Sequence, residues 1–257
     1  NGFFRYAGKL ESLPCLVEDF VYDDINLESG NQMVSAGLNN LFGEVIWFYP
    51  TSTSSVVNRM VAYNYFDSSP QRPVWTNGTL SRTVWKDSAI FGKPHATEYD
   101  ADTDTSFDVV GNTEGITTYY QHETGTDQNK NGTITAVTAN ISSGDYDITQ
   151  ARAQGTGQAT GVATFRGDGE FLMKIRRFVP DFIAQTGTTR VTLQLKNYSN
   201  SSQAGSPLGP FDVTSSTTKV DTRARARAVA MKIENTAASQ TWKLGTFRLD
   251  IQPDGRR

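Results

Sequence analysis

Residues 221–235 read DTRARARAVAMKIEN, with Arg223, Arg225 and Arg227 spaced two apart and Val229, Met231 and Ile233 continuing the same parity. In a helix each two-residue step rotates by about 200°, so the arginines would be scattered around the axis. In an extended chain they line one face and the alanines line the other. Ala, Arg and Met are good helix formers. The neighbouring runs, however, are rich in Val, Ile, Thr and aromatics and are bounded by Gly, Asn, Asp and Pro, which is the pattern of strands. The stretch therefore predicts one strand that begins exposed and ends buried. A row of like charges repels unless acids or phosphates face it. Pairing with acidic neighbours on an adjacent strand or subunit is favoured over nucleic-acid contact, because three arginines neutralise only a few phosphates.

Working outward, the last third of the chain is a succession of strand signals. FLMKIRRFVPDF, TTRVTLQLKNY and GPFDVTSSTTKV come before the arginine stretch, and TWKLGTFRLDIQP follows it. Val191, Leu193 and Leu195 share one face of the second run, with Thr192, Gln194 and Lys196 on the other, as a sheet with one wet side requires. Residues 170–257 are expected to form a β-sandwich.

The first third carries the same signals. GFFRYAGKLESLP predicts a hairpin turning at Ala7-Gly8-Lys9. EVIWFYP is a continuous apolar run stopped by Pro50, which fits a strand buried on both faces. NRMVAYNYF and PVWTNGTLSRTVW follow, the latter expected to turn at Asn77-Gly78. Residues 1–93 thus predict an antiparallel meander. Between them, 94–169 is expected to hold strands separated by long loops at 94–111 and 149–169. WTNGTLSR at 75–82 and WKLGTFR at 242–248 echo one another, which suggests blade-like, propeller-type construction.

The chain has 257 residues, of which 37% are hydrophobic, enough to bury a real core. A formal net charge of −3 argues against a generic polyanion binder. No apolar run approaches the roughly 20 residues that span a bilayer, so no membrane insertion by this chain is expected. Cys15 is the single cysteine, which excludes an intramolecular disulfide framework. The chain opens at Asn1 within a strand-like run, as a fragment or processed product would.

Signals for chemistry are sparse. His95 and His122 are the only histidines, and neither lies in the paired-histidine pattern of a zinc protease helix. No G-x-S-x-G elbow is present, and the glycines at 149–169 lack the phosphate-loop pattern. Carboxylates are plentiful, but their spacing in three dimensions cannot be read from sequence. DQNKNGTITAVT places Asp127, Asn129, Asn131 and Gly132 at the first, third, fifth and sixth positions of a calcium loop, with Thr138 where the bidentate Glu belongs. A hairpin turn at Asn131-Gly132 accounts for the same residues without an ion.

Taken together, GFFRYAGKLESLPC, EVIWFYP, NRMVAYNYF, VWTNGTLSRTVW, YYQHETG, IRRFVPDF and TWKLGTFRLDIQPDGRR resemble the C-terminal part of tail nozzle, or tail hub, proteins of tailed bacteriophages, especially short-tailed ones. The resemblance spans nearly the whole chain and rests on the order and wording of strands. It implies an all-β protein of antiparallel propeller blades plus a β-sandwich, assembled as a homo-oligomeric ring, usually a hexamer, in the virion tail. It further implies adaptor and portal proteins above, tail fibres, spikes or a needle attached, and double-stranded DNA in transient passage, with neither enzymatic activity nor a cofactor. Arg223, Arg225 and Arg227 are then expected at an intersubunit or intersheet contact rather than a DNA clamp. The competing expectation is a virion-associated glycan-binding or glycan-cleaving β-protein that stacks sugars on Trp75, Trp85 or Trp242.

Overall fold

The computed structural model describes residues 2–26, 28, 33–88, 90–100, 116–148, 171–198 and 207–255. Among the described residues the chain is predominantly β, with antiparallel sheets and a short helix. It divides into two compact units, Asn1–Gly125 and Thr126–Arg257. The expected middle segment 94–169 is thus shared between them.

In the first unit, β1 (Phe3–Tyr6) and β2 (Leu10–Leu13) form the expected hairpin, with Gly8 at φ 84° in its turn. A short helix, α1 (Glu18–Asp24), follows, where the sequence pattern predicts no element. Next come β3 (Ser35–Asn39), β4 (Glu44–Tyr49), β5 (Arg59–Ser69) and β6 (Arg72–Thr79), a four-stranded meander in that order. The apolar run EVIWFYP is β4, and both its faces are covered. Ile46 and Phe48 pack with Val57 and Ala62 on one side, while Tyr49 joins Val21 of α1 and Val61 on the other. Trp47, Trp75 and Phe3 extend the second cluster as an aromatic group, with Phe3 and Trp75 centroids 4.7 Å apart.

Asn77-Gly78 is not a turn. Both residues lie within β6, Asn77 opposite Val61 and Gly78 opposite Met60, and the chain turns earlier, at Pro70-Gln71, where Ser69 pairs with Arg72. The ladder to an eleven-residue partner strand overrides the local turn preference of the dipeptide. The unit closes with β7 (Val84–Lys86), β8 (His95–Asp100) and β9 (Ile116–Gln121) in one sheet. The start of the expected 94–111 loop is therefore a central strand, paired on both sides. Residues 101–111 and the expected loop at 149–169 lie outside the described residues.

The second unit begins with the hairpin β10 (Asp127–Lys130) and β11 (Thr133–Ala136), followed by β12 (Asn140–Ser142) and β13 (Tyr146–Asp147). After these come β14 (Met173–Val179), β15 (Phe182–Thr186), β16 (Thr189–Lys196), β17 (Pro207–Val213), β18 (Val220–Ala226), β19 (Ala228–Glu234), β20 (Thr241–Leu244) and β21 (Arg248–Pro253). One sheet runs β12-β19-β16-β17, with β13 also on β19; another runs β18-β14-β21. Both feed one core. Met173, Ile175, Phe178 and Ala224 come from the three-stranded sheet, and Val191, Leu193, Val213, Val229, Met231 and Ile233 from the other.

The arginine stretch is where the chain passes between these sheets. It forms two strands rather than one, broken at a bend at Arg227. In β18 the even positions Thr222, Ala224 and Ala226 are buried; in β19 the odd positions Val229, Met231 and Ile233 join the core, and Ala230 between them is buried outside it. The inward parity changes because the chain leaves one sheet and enters the other, and a core-facing side chain must then point the opposite way. WTNGTLSR and WKLGTFR occupy unlike places: the first starts inside β6, the second runs from β20 across a loop into β21.

Candidate interaction surface

The outer face of the β18-β14-β21 sheet gathers the charged residues of its strands. Arg223 and Arg225 project from β18, since their even-numbered neighbours are buried. Along the strand they stand about 7 Å apart. Lys174 lies directly opposite Arg225 on β14, so cations face cations across the ladder. The β14 ladder is irregular between Ile175 and Arg177, and this leaves Arg176 exposed and Arg177 partly so beside one another.

Three carboxylates are interleaved with these cations. Arg177 Nε stands 3.3 Å from Asp250 and 3.7 Å from Asp221, and Lys219 is 3.1 Å from Asp221. Arg225 reaches across β14 to Asp254, 2.5 Å from its carboxylate, and donates a second bond to its carbonyl at 3.0 Å. Lys174, Arg176 and Arg223 form no ion pair among the described residues. Arg227 stands apart, at the bend between the sheets, its backbone N–H donating to Lys196 O at 3.0 Å. The structure thus places Arg223 and Arg225 on one open face, with Arg225 held within its own sheet, and Arg227 at the crossover.

The division of charge between the units was not visible in the total. Residues 1–125 hold 7 Lys and Arg against 16 Asp and Glu, whereas 126–257 hold 17 against 11. The net charges are −9 and +6, which together give the −3 of the whole chain.

The residues weighed as calcium ligands belong to the β10–β11 hairpin. Asn131 and Gly132 have φ of 52° and 87°, the paired positive values of a two-residue hairpin turn. Asn129 Oδ1 accepts the Gly132 N–H at 2.9 Å, and the Asp127 carboxylate accepts the Ser239 N–H at 3.0 and 2.8 Å. These oxygens already accept backbone N–H groups of the same chain, at the surface. No group of three or more His, Cys, Asp or Glu able to hold a metal occurs among the described residues.

The histidines take different roles. Arg82, only 3% exposed, donates from Nε to His122 Nε2 at 2.8 Å, lies 4.0 Å over the Tyr120 ring and stands 3.5 Å from Glu98. Burial, then the neighbouring guanidinium, pushes His122 down to about 4. His95 is stacked with Tyr119, its Nδ1 bonded to the phenol, and Phe91 meets it edge-on, making an aromatic group with Phe91 and Tyr119 exposed. The three tryptophans considered for sugar stacking are anchored internally. Their indole N–H groups donate to Pro14 O, Leu38 O and Asn235 Oδ1 from Trp75, Trp85 and Trp242 respectively.

No protein-family model matches the chain, and no curated protein matches it significantly.

Proposed function

We propose that this chain is a structural, non-enzymatic subunit of a ring-shaped tail nozzle or hub in the virion of a tailed bacteriophage, forming part of the DNA exit channel and anchoring tail appendages. In this reading the antiparallel sheets of the first unit serve as blade-like elements of a propeller, complete or partial, and the paired sheets of the second unit as its β-sandwich. The ring is a homo-oligomer, a hexamer by the resemblance, with adaptor and portal proteins above it.

The observation that carries the reading is apolar surface on stiff elements. Phe4, Tyr6 and Leu10 share one face of the β1–β2 hairpin, as their cross-strand pairing dictates, and are 56%, 77% and 68% exposed. Large side chains fixed in this way are costly to leave in water and belong under a neighbouring chain. The test is location. Antibody or gold labelling of this chain on particles should mark the tail, on the portal axis; label on the capsid shell, or none on the particle, contradicts the reading.

A second reading is favoured by one feature only. The exposed Tyr119 ring, stacked on the half-buried His95, offers an aromatic face of the kind that sugars lie against. In that case the chain is a virion-associated glycan-binding protein, and Tyr119→Ala should abolish retention on immobilised host-surface glycan.

A further inference from the structure

We infer that the outer face of the β18-β14-β21 sheet docks on the acidic first unit of a second copy of this chain, so that copies join head to tail. The inference rests on the ring reading and names the surfaces that build the ring. Its first support is the opposite sign of the two units, −9 against +6. Opposite charge on different parts of one chain makes two copies mutually attractive in a single polarity, and a contact between unlike surfaces closes into a ring when the rotation permits.

Its second support is unneutralised charge at both ends of the contact. On the basic side, Lys174, Arg176 and Arg223 are exposed and unpaired among the described residues. On the acidic side, α1 carries Glu18 and Asp19 in its first turn and no basic residue in its last. Asp23 and Asp24 therefore stand at the helix end where negative charge is least favourable. Arg59 compensates Asp24 at 3.3 Å, but Asp19 and Asp23 are exposed and unpaired among the described residues. An arriving cationic face supplies what this helix lacks.

A nucleic acid fits the basic face less well. Asp221, Asp250 and Asp254 are interleaved with its cations, and each would repel a phosphate backbone laid along the face. Interleaved acids and bases are instead the pattern of a protein contact, where they fix register and exclude wrong partners.

The experiment is sedimentation of the full chain at 50 and 500 mM NaCl, with three proteins: wild type, Lys174→Glu/Arg223→Glu and Asp19→Lys/Asp23→Lys. Wild type should assemble at low salt and dissociate at high salt, because exposed charges are screened within about 10 Å at 0.1 M. Each double variant alone should remain monomeric at low salt, with unchanged circular dichroism and, at 500 mM NaCl where wild type is dissociated too, a melting temperature within a few degrees of wild type, and mixing the two variants should restore assembly. Assembly of the Lys174→Glu/Arg223→Glu protein equal to wild type overturns the inference while leaving the ring reading intact. Failure of the mixture to assemble overturns the pairing of these surfaces. A wild type that is monomeric under all conditions contradicts both. Salt-sensitive binding of a 20-base-pair DNA by wild type, lost in Lys174→Glu/Arg223→Glu while wild-type assembly is salt-resistant, assigns the face to nucleic acid instead.

Discussion

His122 is the residue whose protonation the fold resists most visibly. Its folded value of about 4 lies below the ordinary 6.5, so the unfolded chain binds the extra proton between those two values. Stability from this site is full above about pH 6.5, declines as pH falls towards 4, and is constant below that. The whole loss is at most about 3 kcal/mol, less whatever solvent screening removes. His122→Gln, which can still accept from Arg82, should flatten urea-midpoint stability between pH 6.5 and 4; an unchanged slope would refute the assignment. Gly37 is a second single-residue test. A methyl group there would collide with the Trp85 ring, which is itself packed on Phe48 and bonded to Leu38 O. Gly37→Ala should cost about 1–3 kcal/mol by thermal or denaturant unfolding. Neither feature could be read from sequence, because each depends on a partner forty or more residues away.

At the scale of elements, the passage from β18 to β19 makes a sharp distinction between faces. Ala226 is fully buried at the end of β18, directly opposite the equally buried Met173 of β14. Ala226→Leu should destabilise by about 1–3 kcal/mol through overpacking. Arg225→Ala, losing a solvent-exposed ion pair with the Asp254 carboxylate and an exposed bond to its carbonyl, should cost under about 1 kcal/mol. Equal costs measured by urea unfolding would mean that the faces are misassigned. Most strands were legible because their side chains alternate or run apolar within a few residues: β4, β16 and the β1–β2 hairpin all fall where pattern alone put them. The parity change at Arg227 was not, since a single strand going from exposed to buried and two strands exchanging sheets write the same string of residues. Asn-Gly shows the same limit. At 131–132 it makes the hairpin turn, and at 77–78 it lies in a ladder, because a turn preference worth little is overruled when long partners flank it. The helix α1 is missed because two turns are too short to show a helical period, and β3, SAGLN, because it lacks the β-branched and aromatic residues that mark a strand.

For the whole molecule, the net charge of −3 concealed a division that appears only once the boundary at Gly125 is known. The arginines were legible as a row on a strand face. Lys174 and Arg176, which complete that face, come from a strand about fifty residues earlier and could be joined to it only through the β14–β18 register. In the proposed ring, two β units of opposite sign, one bearing a hairpin with an apolar outer face, are the surfaces that copies and partners cover. The measurement that bears most directly on this account is electron cryomicroscopy of the purified chain at low ionic strength. The account predicts closed rings around an open axis, with the β18-β14-β21 face of each copy against the first unit of the next. Separate single chains at every concentration, with that face and the β1–β2 hairpin both in solvent, would contradict it.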